Sequence, residues 1–287
     1  MDNEELKLLL SEKFKECPDA VRKSIESMAD AGLLCEGVNS LSEKELISRY
    51  AKINFLTESE RTEIMDQIPP MEETQLRFQK DYLRVLILLQ DIERTAQNFD
   101  NAMQSGDINE GYRELRIGLM AYYLSDDARQ KFSCYGKDDN EIRELNKKLA
   151  PCTTFLAHLR NYIAGHLDDV VLEKTCQWGG FCMFTKQSVG DPRLMILINK
   201  FLFETGINCC IASKPADKEV IGGEIDLRYP PDYKCFMNFM SKTFDLTYKF
   251  LSKIKVAIES KLKLYEEEKE IIQRAIWAGE TNFNIKS

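Results

Sequence analysis

The 287-residue chain predicts an all-α protein: a bundle of long helices with an additional unit of short helices at its N-terminus. Two patterns carry that prediction. Apolar residues recur at steps of three and four, the period of one helix face. Ser, Thr or Asp stand where helices would start, and Pro or Gly where they cannot continue. There is no fixed-period repeat and no low-complexity tract.

Residues 1–70 read as a series of short helices. Ser42-x-x-Glu45 and Thr57-x-x-Glu60 are capping-box patterns, in which each side chain satisfies the other's free backbone N–H. Pro18 suits the first turn of a helix reaching about Met28. Pro69-Pro70 forbids helix continuation and sets a boundary, giving an acidic helical unit over 1–70 and a helical bundle over 71–287. A long helix is predicted from Glu72 to Gln97. Leu76, Leu83, Leu86, Ile87, Gln90, Ile92 and Ala96 fall near helical spacing, and the apolar run from Val85 to Leu89 predicts a centre buried on more than one side. After the Ser105-Gly106-Asp107 break, a second helix covers Ile108 to Leu124, with a short turn or helix over Asp126 to Tyr135.

From Asp139 to Ala164 one stripe is continuous: Ile142, Leu145, Leu149, Cys152, Leu156, Leu159 and Ile163. Pro151 inside it predicts a kink or restart, and Gly165 a left-handed stop. Beyond Asp168 a short helix gives way to a loop around Trp178-Gly179-Gly180. Asp191-Pro192 opens a helix to about Cys210, Asp as N-cap and Pro in the first turn. Ser213 to Pro231 reads as a loop with one short strand, and the last helix spans about Asp232 to Ala278. Its apolar residues Phe236, Phe239, Met240, Phe244, Leu251, Ile254 and Ile258 are expected in the core.

The net charge is −8, and residues 1–70 hold 15 acids against 9 bases, so the acidity is concentrated in the N-terminal unit. That balance does not fit a protein that coats nucleic acid indiscriminately. Nine cysteines with no C-x-x-C pair, and only two histidines, argue against a zinc site; no metal or cofactor is expected. Cys209-Cys210 is expected to be buried thiol. The acidic start Met1-Asp2-Asn3-Glu4-Glu5 lacks the order of a secretory signal, no apolar run is read as a membrane span, and reduced thiols in the cytoplasm are the simplest reading.

The chemistry concentrates in Arg160-Asn161-Tyr162-Ile163-Ala164-Gly165-His166. Arg160 keeps its proton and binds phosphate oxygens through a planar fork. Asn161 offers donor and acceptors, and His166 can take or give a proton near neutrality. On a straight helix Arg160 and His166 diverge by roughly 120°. They converge only if Gly165 breaks the helix or a second subunit supplies one of them. The bland alternative is that Arg160 pairs with an acid on a neighbouring helix and His166 caps its helix end. His158, two residues before Arg160, points to the far side and is assigned to packing. Asp168-Asp169 place two carboxylates near where an anionic substrate would pass.

An Arg followed by a polar residue, with His four to six positions later at the end of a bundle helix, resembles the signature of HEPN-domain proteins (higher eukaryotes and prokaryotes nucleotide-binding). The resemblance rests on this seven-residue window, supported by helices over about 72–275. It implies a helical bundle that dimerises. It further implies metal-independent RNA cleavage by the substrate's own 2′-hydroxyl, leaving a 2′,3′-cyclic phosphate, with Arg160, Asn161 and His166 as the site residues. Lys249, Lys253, Lys255, Lys261 and Lys263 on the last helix form a second, weaker feature, either a phosphate-tracking stripe or a solvated face. The expected partners are therefore RNA, a second copy of the chain, and a protein partner bound through residues 1–70, with no membrane. Two other readings stay open: a non-enzymatic helical interaction module, and a bundle that binds a nucleotide without cutting.

Overall fold

The computed structural model describes residues 72–137, 139–165 and 167–264, together with Thr57, Ser59, Thr62 and Arg274. The expectations placed on residues 1–70 (both capping boxes, the Pro18 helix and the Pro69-Pro70 boundary) lie outside the described residues but for those isolated positions. The chain divides into two compact units, one over 72–262 and the other over 1–71 with 263–287.

The regular structure of the described residues is entirely helical, with no strand. Helix α1 is Glu73–Ser105, α2 Ile108–Lys131, α3 Asn140–Arg160, α4 Asp169–Met183, α5 Leu194–Ser213, α6 Asp217–Ile221 and α7 Pro230–Glu259. A 3₁₀ turn, Phe132–Gly136, links α2 to α3, and a turn of π-helix, Asn161–Gly165, follows α3 directly.

Helices α1, α2, α3 and α7 form a four-helix bundle in which α1 packs on α2 and α7, and α3 packs on the same two helices. Neighbours run antiparallel. Gly111 lies by Met103 while Gly118 lies by Thr95. Lys253 of α7 pairs with Glu141 at the start of α3, while Phe239 meets Phe155 near its end. The α3 stripe is buried as its spacing predicts, with Leu145 partly exposed. The α7 residues Phe236, Phe239, Met240, Leu251, Ile254 and Ile258 are likewise in the core. Buried and partly buried polar groups fasten the bundle. The Asp126 carboxylate accepts from Arg129 and from the Thr153 hydroxyl at 2.8 Å, joining α2 to α3. Tyr135 donates to the buried Asp81 at 3.0 Å, joining the 3₁₀ turn to α1, and burial together with that carboxylate pushes the phenol well above its usual range.

Helix α5 packs against α2 and α3 and carries α4 on its other side. By length and composition α5 is apolar enough to cross a membrane, contrary to the sequence reading, but Phe201, Leu202, Phe203, Ile207 and Cys210 are buried in the core. Core burial accounts for its apolarity.

Several boundaries differ from the sequence expectation. α1 and α2 each run about two turns longer than predicted, so Asp126 to Lys131 belong to α2. Pro151 does not restart α3, which passes through it. Trp178-Gly179-Gly180 is not a loop. α4 runs through it, because a Cβ on Gly179 would lie 2.7 Å from the Phe201 ring, and glycine is what lets the two helices approach. Asp191 caps a turn before α5, accepting from Arg193 N, rather than α5 itself. The segment after Ser213 forms the short α6 and no strand. α7 starts with Pro230 in its first turn and ends at Glu259, not Ala278. In α1, Val85, Leu88 and Ile92 are buried, but Leu76, Leu83, Leu86 and Ile87 are exposed, so its centre is covered on one side within this unit.

Candidate functional site

The end of α3 is shaped by two neighbouring helices. Leu159 and Ile163 are fully buried, and Gly206 of α5 leaves room for them: a Cβ there would lie 2.6 Å from Ile163 Cγ2. The π turn therefore sits pressed against α5 on one side and α2 on the other. It closes when Asp168 N donates to Tyr162 O at 3.0 Å, and the chain reverses at Leu167, whose φ is 49°. Gly165 is not the left-handed residue the sequence suggested; Leu167 is, at a conformational cost of about 1–2 kcal/mol.

Gly165 has another task. A Cβ at that position would stand 2.8 Å from Arg160 Nη1 and 3.0 Å from its Cζ. The guanidinium lies across the bare glycine with its other face over the Tyr123 ring, 4.8 Å from the centroid. Nη1 donates to Asn161 Oδ1 at 3.2 Å and Nη2 points to Met120 Sδ at 3.9 Å. Nε is buried and has no hydrogen-bond partner among the described residues. Among the described residues no carboxylate pairs with Arg160, so the ion pair expected in the bland alternative is absent there. The side chain is clamped by an aromatic face, a thioether and a glycine. None of these neutralises its charge.

Asn161, the first residue of the π turn, is exposed and holds Arg160 through its carbonyl oxygen. His166 lies outside the described residues. Asp168 is occupied as the N-cap of α4, accepting from Val170 N and Val171 N. His158 faces away, as expected: its Nδ1 is 3.0 Å from the buried Asp217 carboxylate and its ring packs on Tyr162. That contact ties α3 to α6.

The lysines of α7 are not brought to Arg160. Lys253 pairs with Glu141 at 2.7 Å, at the start of α3, which is about 28 Å along the helix axis from Arg160. Lys249 pairs with Asp245 and Lys255 with Glu259, while Lys261 lies over the Tyr135 ring. Lys263 falls past the end of α7.

A second polar cluster escaped sequence reasoning. Glu204 of α5 is 1% exposed, receives the Trp178 indole N–H, and accepts from Leu227 N at 2.9 Å. Arg228 approaches it at 3.8 Å and lies over both Trp178 and Phe201. Burial raises the Glu204 carboxyl above the ordinary range; the indole, the Leu227 amide and Arg228 oppose that shift. The cluster pins the Glu224–Tyr229 strap onto α4 and α5. Only the buried acid inside an apolar helix could have signalled it in the sequence.

Comparison with known protein families, with curated proteins and with solved structures returns no match for this chain.

Proposed function

We propose that this chain is a metal-independent endoribonuclease of the HEPN type, with its site at the junction of α3 and the π turn. The observation that supports this reading is Arg160: a guanidinium held in place by Tyr123, Met120, Asn161 and Gly165, with no counter-ion among the described residues. A positioned, unneutralised cation suits a transition state that gains negative charge, because little reorganisation is needed when the charge develops. In the reaction, the RNA 2′-hydroxyl attacks the adjacent phosphorus and forms the 2′-O–P bond. The bond from phosphorus to the 5′-oxygen breaks, leaving a 2′,3′-cyclic phosphate and a 5′-hydroxyl. Arg160 stabilises the pentacoordinate phosphate and His166 exchanges protons with the entering or leaving oxygen. Asn161 fixes the guanidinium. Two copies in a homodimer bring two such motifs together, the second route by which Arg160 and His166 can meet.

The test is cleavage of labelled total RNA and transfer RNA in EDTA by wild type, Arg160→Ala and His166→Ala. Wild type cuts and leaves cyclic-phosphate ends, and each variant loses at least about a hundredfold in rate. Equal cutting by all three would sink the assignment.

One observation favours a second reading. The outer face of α4 exposes Trp178 and Phe181, and Phe184 follows it, at 51%, 73% and 63%. Such a surface suits a non-enzymatic interaction module. Folded wild-type protein that cuts no RNA would move the assignment there.

A further inference from the structure

Helix α2 carries four acids and four bases, and all but one of these are engaged. Glu110 pairs with Arg113, Asp126 with Arg129 and Asp127 with Lys131, while Glu114 accepts from Asn98. Arg116 is the exception: among the described residues it meets no carboxylate and makes no hydrogen bond. It stands four residues before Met120 and seven before Tyr123, so the three share one helix face. Met120 and Tyr123 are the two α2 side chains that hold Arg160.

The antiparallel register of α2 and α3 then fixes where Arg116 lies. Arg129 meets Asn146, Asp126 meets Thr153, and Tyr123 and Met120 meet Arg160, each step back along α2 matching a step forward along α3. One further turn places Arg116 beside the π turn, which packs against α2. Arg116 to Met120 is about 6 Å along the axis, a gap two arginine side chains readily span. The one acid of α2 on that face, Asp127, stands about 16 Å along the axis from Arg116 and is paired with Lys131, and the nearest carboxylate after the π turn, Asp168, is committed to capping α4.

We infer that Arg116 is a second phosphate-binding residue of this site, holding a backbone phosphate next to the one at Arg160, so that the preferred ligand is a single RNA strand carrying at least two consecutive phosphates. This rests on the ribonuclease reading and adds to it a residue outside the Arg-Asn-x4-His segment. Two unneutralised cations along one face favour a polyanion over a mononucleotide, since each phosphate neutralised releases counterions.

The test uses the full chain and a labelled single-stranded RNA oligonucleotide, with binding measured across a salt series and steady-state cleavage beside it. Arg116→Ala, Arg116→Lys and Arg160→Ala are compared with wild type, with Arg193→Ala as a control that removes one positive charge elsewhere. Arg116→Ala weakens binding about tenfold, raises KM more than it lowers kcat, and reduces the salt slope by about 0.7, the loss of one phosphate contact on a single strand. Arg116→Lys recovers part of the affinity, which a merely structural role would not allow, and Arg193→Ala matches wild type. If Arg116→Ala binds with wild-type affinity and slope while Arg160→Ala has lost cleavage, the Arg116 assignment fails and the ribonuclease reading stands. If wild type neither binds nor cuts the strand, both fail.

Discussion

At the scale of single residues the site depends on what is missing from one of them. Gly165 has no side chain, and the Arg160 guanidinium occupies the space a methyl would take. Because the backbone at Gly165 is not left-handed, alanine is conformationally acceptable there, and the three atoms nearest its Cβ all belong to Arg160. Gly165→Ala is therefore expected to change thermal stability by less than about 1 kcal/mol while lowering RNA cleavage at least about tenfold, read by a melting curve and an initial-rate assay on the same preparation. A large loss of stability with unchanged cleavage would show that the clamp does not matter. The sequence marked Arg160 and Asn161 because their chemistry is visible in one dimension. It misassigned Gly165, since a glycine near a helix end reads as a left-handed stop. A close approach by a side chain five residues earlier leaves no periodic trace. Tyr123, Met120 and Arg116 were invisible for a similar reason: they come from another helix.

At the scale of elements, α3 and α7 were legible because each buries a single stripe. α4 was not, because Gly179-Gly180 has the composition of a turn, and tertiary packing against Phe201 overrides that local preference. α7 was read too long: it stops where the bundle stops, with Tyr82 and Gln75 of α1 bonded to Glu259 and Lys261. The strap after α6 depends on Glu204, and its stability should follow that carboxyl. The folded pKa is raised, so as pH climbs past the ordinary glutamate value the unfolded chain releases its proton first. Stability contributed by the protonated form is then lost until the folded pKa is passed. Melting temperatures of wild type and Glu204→Gln, followed from about pH 4 to about pH 7, should diverge in the variant's favour as pH rises. Parallel curves would show that Glu204 is not held in this way.

At the scale of the whole molecule the proposed site needs a second copy if Arg160 and His166 meet across a two-fold axis. Mixing Arg160→Ala with His166→Ala distinguishes the arrangements. After random re-pairing, half the dimers are mixed and each contains one intact composite site, so about a quarter of wild-type cleavage should return. No recovery from dimers shown to exchange would place Arg160 and His166 of the same copy in one site. The fold class was legible at this scale from periodicity alone. Which helices became neighbours was not, since that depends on buried or partly buried pairs such as Asp126 with Thr153 and Tyr135 with Asp81, which join residues far apart in sequence.

Trp178 brings one further consequence. Its indole N–H is bonded to a buried carboxylate and its ring lies under the Arg228 guanidinium, so the emitting group sits in a strong local field that exists only while the strap is attached. Light emitted by this residue thus reports on its immediate surroundings, the seam where the strap meets α4 and α5. In a Trp277→Phe background, which leaves Trp178 as the one tryptophan, a colour shift on adding a ligand would mean that the surroundings of the seam had changed, even in a bundle that had not otherwise moved.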